Sequence, residues 1–279
     1  MPSSGGGPSD LPLASPGRGR SALERERANP LGSYLRARRE RVTPEQVGLA
    51  RHGVRRVPGL RREELALLAG ISADYYLRLE RGRDRNPSPQ VLEALARALR
   101  LDQDHRAHLE ALVAQSSRVG QTAPSAAAAP AGAIRLLDSL PHPAFIEDRY
   151  LDILAANPAA TALDPRLAPG RNQLRDLLLD SAEQAMHPDP ELAAACLIAG
   201  LRHTMGSDVA DPAFARLTDE LHRESAQFRR IWARHDVRSQ RGATLRLNHP
   251  QRGLLRLSRE QLGINGTAGL KLVVYYPEA

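Results

Sequence analysis

Between Gly70 and Gly82 runs Ile71-Ser72-Ala73-Asp74-Tyr75-Tyr76-Leu77-Arg78-Leu79-Glu80-Arg81, a stretch dense in hydrogen-bonding side chains. Arg78 has the most specific chemistry. Its guanidinium offers paired N–H donors in a fixed fork that matches the O6 and N7 acceptors of guanine in a major groove. On a helix Arg78 shares a face with Asp74 and lies near Ser72, Ala73 and Tyr75, while Tyr76 and Leu79 point the other way. Asp74 suits either a cytosine amine or the positive end of a helix dipole, and the second is the stronger reading. Tyr75 suits a thymine methyl, a phosphate or plain packing. Arg61 and Arg62 before this run, and Arg81, Arg83 and Arg85 after it, suit phosphate oxygens, contacts that position a protein without reading sequence. Glu80 is assigned to an internal ion pair with an arginine of an earlier helix.

Two short helices are needed to position these groups. Residues 61–82 supply a helix, a turn and a second helix. Gly70 accepts the left-handed conformation that ends the first helix. Ser72 N-caps the second. Leu65, Ala66, Ala69, Ile71, Tyr76 and Leu79 form an apolar seam, with Ala66 small enough for a close crossing. This is helix-turn-helix spacing, with the second helix offered to the major groove. Helices over 30–41, 88–99 and 103–114 complete an all-helical domain, residues 30–114, and residues 51–59 read as a basic loop.

The chain of 279 residues has room for two domains, and 42% hydrophobic content permits packed cores. Net charge is +7, and its placement is uneven. Residues 36–62 hold nine arginines against Glu40 and Glu45, the electrostatic footprint expected for a polyanion, or else a solvated face in an arginine-rich protein with a single lysine, Lys271. One cysteine, Cys196, excludes an internal disulfide and fits a reducing, cytoplasmic compartment. No apolar run approaches the roughly 20 residues that span a bilayer, and the Ser/Gly/Pro-rich start lacks a signal-peptide core, so no membrane association is expected. Residues 1–29 read as a disordered tail and 115–132 as a linker.

Residues 133–279 change character. Short helices, a strand pair near 144–155, helices over 171–186, 190–206, 212–222 and 225–235, and three strands over 243–248, 253–257 and 270–276 give an α/β (α+β) order. One sheet with helices on one face, enclosing a cavity, is expected. Phe145, Ile153, Asn157, Met205, Phe228, Trp232 and Tyr275 are candidate cavity residues. For Phe228 and Trp232, four apart, core packing is the stronger reading, and Asn157 is already explained as a helix N-cap. His235 and Arg234 suit an acidic head group or surface pairs. No Gly-x-Ser-x-Gly, phosphate loop or HExxH is present, His105 and His108 have no converging metal ligands, and Cys196 has no base partner. No enzyme activity, metal or cofactor is therefore expected.

Longer strings carry a resemblance. Val57-Pro58-Gly59-Leu60-Arg61-Arg62-Glu63-Glu64, Leu68-Ala69-Gly70-Ile71-Ser72, Leu79-Glu80-Arg81-Gly82-Arg83 and Asn86-Pro87-Ser88-Pro89-Gln90-Val91-Leu92 resemble Xre/Cro-type helix-turn-helix domains of actinobacterial MmyB-like regulators. Leu151-Asp152-Ile153-Leu154-Ala155-Ala156-Asn157, the run Ser225–Val237 and His249-Pro250 are similar to the PAS-like ligand-binding domain of that family. The resemblance implies double-stranded DNA as partner, a homodimer, and a fatty-acid-like effector. Two departures stand out. Ala156 replaces a frequent Trp, and Met186-His187-Pro188 stands near where an Asp-Trp pair is usual, so the cavity is less aromatic. The alternative reading is a small-molecule-binding module whose helical domain binds protein, a role for which the arginine run is unnecessary.

Overall fold

The computed structural model of the chain describes residues 21–50, 58–116, 128–206, 211–239 and 242–278. Its first helix, α1 (Ala22–Ala28), replaces the end of the tail expected over residues 1–29, of which residues 1–20 lie outside the described residues. A capping box forms it: Ser21 Oγ accepts from the Glu24 amide at 3.1 Å, and Glu24 accepts from the Ser21 amide at 2.6 Å.

Five helices build the first domain: α2 (Pro30–Arg41), α3 (Arg62–Ala69), α4 (Ala73–Glu80), α5 (Pro89–Ala98) and α6 (Gln103–Ser116). Tyr34, Leu35, Leu60, Leu65, Tyr76, Leu79 and Leu95 are fully buried at its centre. Of the basic loop expected over 51–59, residues 51–57 lie outside the described residues.

The second domain holds α7 (Ala131–Ser139), β1 (Ala144–Glu147), β2 (Ile153–Ala156), α8 (Pro158–Leu163), α9 (Gln173–Leu179), α10 (Ser181–Met186), α11 (Pro190–Met205), α12 (Pro212–Glu224), α13 (Ala226–Trp232), β3 (Ala243–His249), β4 (Gly253–Gly263) and β5 (Lys271–Pro277). The strands form one antiparallel sheet in the order β2-β1-β5-β4-β3. Two expectations change. The single helix expected over 171–186 is two, because Asp180 ends α9 and caps α10, accepting from the Ala182 amide at 2.9 Å. Helices also cover both sheet faces, not one. Phe145, Val273 and Tyr275 pack with Ala160 and Leu163 of α8, whereas Ala144, Ile146 and Leu272 pack with Leu137 of α7. The period-2 alternation of β1 and β5 demands this, since both sets are apolar.

The two domains interlock. Leu23 of α1 is buried in the core formed by α9 and α11–α13, and Val237, just after α13, is buried in the helical core of the first domain.

Candidate functional site

The first candidate surface is α4 with its flanks. Gly70 ends α3 in the left-handed region (φ +66°), and the Ile71 amide returns to the Ala66 carbonyl at 3.0 Å. Ser72 Oγ then accepts from the Tyr75 amide at 3.1 Å. With Tyr76 and Leu79 buried, α4 turns Ser72, Ala73, Asp74 and Arg78 to solvent, with Tyr75 half-buried beside them. Arg78 ion-pairs with Asp74 one turn earlier and lies over the Tyr75 ring, its Cζ 5.3 Å from the centroid. Asp74 therefore restrains the Arg78 fork, a role the sequence reading did not give it. Arg61, Arg81, Arg83 and Arg85 are exposed around this face, Arg85 Nε donating to the Gly82 carbonyl at 3.1 Å.

Glu80 locks the face from behind. Its carboxylate accepts from Arg39 Nε of α2 at 2.7 Å and from Arg62 Nε of α3 at 2.6 Å. The Glu80 and Arg39 side chains are 3% and 5% exposed, so this is a desolvated ion pair tying three helices together. Burial pushes the Glu80 carboxyl up, yet the hydrogen bonds from Arg39 and Arg62 outweigh it and hold the group below its ordinary range. The internal partner expected for Glu80 is thus identified.

Of the nine arginines in the run over 36–62, five are paired, Arg61 is exposed, and Arg51, Arg55 and Arg56 lie outside the described residues. Arg36 pairs with Glu40 at 2.9 Å, Arg39 and Arg62 with Glu80, and Arg38 and Arg41 with Asp236 at 3.1 and 3.4 Å. Asp236 lies about 200 residues away in sequence, so no local charge count includes it. Among the described residues, the exposed arginines nearest α4 are the ones just before and after it.

Asp236 belongs to a polar seam between the domains. Arg27 of α1 donates to both oxygens of Asp219, at 3.1 and 2.9 Å, and to Thr218 Oγ1 at 2.7 Å. Glu26 is buried against Arg202 Nη1 at 2.5 Å and accepts from Trp232 Nε1 at 2.8 Å. Arg202 lies over the Trp232 ring at 3.8 Å, and His235 Nδ1 stands 3.2 Å from Arg202 Nη1. Burial pushes Glu26 up, but the charges of Arg202 and His235 and the donated hydrogen bonds hold it below its ordinary value. Burial and the Arg202 charge push His235 down to about 3, and burial does the same to His108. His108 and His235 meet the Tyr34 ring edge-on at 5.1 and 6.4 Å, and Tyr34 Oη bonds His105 Nδ1 at 3.0 Å, so these three histidines belong to the domain junction. Beyond α13, Ser239 donates through its amide and hydroxyl to Asp104 Oδ2, at 2.8 and 3.1 Å.

The second candidate site is a cavity of about 240 Å³ between α9–α11 and the sheet. Leu167, Leu177, Leu192, Leu197, Leu245 and Leu247 give it apolar walls, with Cys196 beside them and Arg166, Arg246 and Arg259 as cations. Of the seven residues expected to line a cavity, Tyr275 does. Phe145, edge-on to Tyr275 at 5.6 Å, and Ile153 lie in the adjoining core. Asn157 N-caps α8, accepting from the Ala144 and Ala160 amides, and donates to the His142 carbonyl at 2.8 Å. Met205, Phe228 and Trp232 lie in the helical core, Phe228 and Trp232 stacked at 5.2 Å. Arg234 pairs with Glu191 at 3.5 Å, while His235 faces the chain's own Glu26. The residues missed carry a weak signal: Leu245 and Leu247 alternate in β3, and Leu192 and Cys196 are one turn apart on α11.

Asp164, Asp176, Glu183 and Asp189 also line the cavity, and an ionic group lies behind its Gln173 and Arg259. Glu147, fully buried at the end of β1, accepts from Gln173, from Gln261 Nε2 at 3.2 Å and from Arg259 Nη2 at 3.5 Å. Among the described residues no group of three or more His, Cys, Asp or Glu is placed to hold a metal ion, and no helix is long and apolar enough to cross a membrane.

Comparison with protein-family models gives two matches. Residues 129–279 match the model described as MmyB-like transcription regulator ligand binding domain, and residues 30–109 match a helix-turn-helix domain. Both are regulator modules rather than enzymes. The comparison with curated proteins finds no match.

Proposed function

The chain belongs to the MmyB-like transcription regulators, and from that premise we propose a sequence-specific, Xre-type regulator that reads double-stranded DNA with α4 under control of a small hydrophobic effector. The observation that carries the DNA reading is the restrained Arg78 fork, exposed on a helix whose back is fixed by Tyr76, Leu79 and the Glu80 clamp. Arg78 reads a base, and Arg61, Arg81, Arg83 and Arg85 hold phosphates. Arg62, Ser72, Ala73, Asp74 and Tyr75 shape and flank the contact.

The effector is fatty-acid-like, its chain against the leucines of the 240 Å³ cavity and its carboxylate at Arg246, which is exposed at that cavity. The second domain is a PAS-like sensor, and the protein works in the cytoplasm as a homodimer, which suits paired half-sites about one helical turn apart.

A gel-shift titration with the DNA upstream of the protein's own gene tests the reading. Wild type is expected to bind with affinity that falls steeply as salt rises, and Arg78→Ala to lose about 5–100-fold on that site alone. Equal, salt-insensitive binding by both proteins would refute base reading by α4. Mass spectrometry of the natively purified protein tests the effector: a co-purifying carboxylic acid lipid supports it, and its loss in Leu245→Arg places it in this cavity.

A further inference from the structure

The inner stripe of α11 does not end at the first cavity. Past Cys196 it continues through Gly200 to His203 and Thr204, which line a second cavity of about 390 Å³. Gln261 of β4, Lys271 of β5 and Ser239 complete its polar wall. Because Gln261 and Arg259 both hold Glu147, that carboxylate stands between the two cavities.

Lys271 is the only lysine in a chain whose other basic residues are arginines. Its Nζ donates to Thr204 Oγ1 at 3.1 Å. Glu147, directly opposite across the strands, gives its oxygens to Gln173, Gln261 and Arg259 instead. Among the described residues, a half-buried ammonium with three N–H donors is therefore matched to one neutral hydroxyl, with an exposed imidazole beside it on α11. Burial lowers the amine's pKa, and the Arg259 charge adds to this against the opposing pull of Glu147. A group so placed gains most from an anion.

The same cavity touches the domain seam. Both donors of Ser239, amide and hydroxyl, are held by Asp104 of α6. We propose that this cavity is a second effector site, for a compact carboxylate or phosphate anion held by Lys271 and His203, which takes the Ser239 donors from Asp104 and so loosens the seam. That the anion acts as an effector rests on the regulator reading above. The anion site stands independently of it.

The single lysine makes the test selective. Protein grown with ¹⁵N-lysine carries its label at position 271 alone, so its amide signal reports on this site. Sodium succinate and sodium phosphate are titrated separately at ionic strength held constant with chloride. One of them is expected to shift the signal saturably, with half-saturation near or below about 1 mM, and which one saturates identifies the source of the charge. His203→Ala, an exposed position, is expected to weaken that binding at least about fivefold. Asp104→Ala removes the acceptor that competes for Ser239 and is expected to tighten it about fivefold or more. A shift that never saturates with either anion overturns the site, and affinity unchanged by Asp104→Ala overturns its link to the seam. No DNA enters the measurement, so its failure is separate from failure of the reading head.

Discussion

The reading head and the domain seam are made of the same parts. Each centres on a buried carboxylate clasped by arginine: Glu80 with Arg39 and Arg62, Glu26 with Arg202 and the Trp232 N–H. They differ in span. The Glu80 contacts join residues 41 and 18 positions apart, whereas those of Glu26 join residues 176 and 206 apart. The first is closed inside one small helical domain. The second exists only while two domains stay docked. Equal chemistry therefore serves opposite ends: a face that must not change shape, and a junction that can come apart.

The largest expected effect falls on the first clasp. Glu80→Ala leaves Arg39 buried without a counter-charge, and about 3–5 kcal/mol of domain stability is expected to go, with DNA binding lost alongside. Urea denaturation followed by circular dichroism measures it. A loss under about 1 kcal/mol would make the clamp no stronger than a surface pair. Glu26→Ala is the matching change at the seam. Because Arg202 keeps the Trp232 carbonyl and ring as partners, the cost is expected below about 3 kcal/mol. Its signature is a calorimetric trace that splits into two transitions, one per domain, where the wild type gives one.

A smaller change separates reading from holding. Arg81 is exposed beside α4, and Arg81→Ala is expected to weaken all DNA sequences alike and to reduce the slope of log affinity against log salt by about 1, with stability unchanged. Discrimination between sequences by this variant would move Arg81 into the group that touches bases.

The mildest perturbation is pH, and it distinguishes the two clasps by histidine. His108 and His235 sit at the seam with pKa values pushed down to about 3, against about 6.5 in an unfolded chain. Between those values the unfolded or undocked state binds more protons. The stability these histidines contribute is complete above about pH 6.5 and is lost as pH falls toward 3. Glu26, held below its ordinary value of 4.5, adds to the loss in acid. The only tryptophan, Trp232, lies in this network, so its fluorescence is expected to change across the window at temperatures where the wild type stays folded. A flat trace from pH 7 to 4 would contradict the docking.

What was legible in the sequence follows the same division. Gly70, Ser72 and the apolar seam of residues 65–79 announce α3, α4 and the face they present, because caps, turns and helical periodicity act over a few residues. Even the role of Glu80 can be read, since an acid flanked by Arg78, Arg81 and Arg83 on a helix with a buried face must find a partner nearby. The pairing of Arg38 and Arg41 was not legible for the complementary reason. Their counter-charge, Asp236, arrives from the other end of the chain. Phe228, Trp232 and Met205 were candidate cavity residues on size and polarity, yet their place is set by α1 and α12, which no local pattern connects to them. The cavity walls were hardest to read, because Leu245 and Leu247 look like any strand residues until α10 is laid over them.

The exchange of Leu23 and Val237 between the two cores bears on what holds the molecule together. Peptide continuity between α6 and α7 is one tie, and the interlock is another. Cutting the chain after residue 116 is expected to leave a two-fragment complex that survives gel filtration, and separately produced halves are expected to reassociate on mixing. By that measure the molecule is less a pair of beads on a string than a complementation pair that happens to be encoded as one polypeptide.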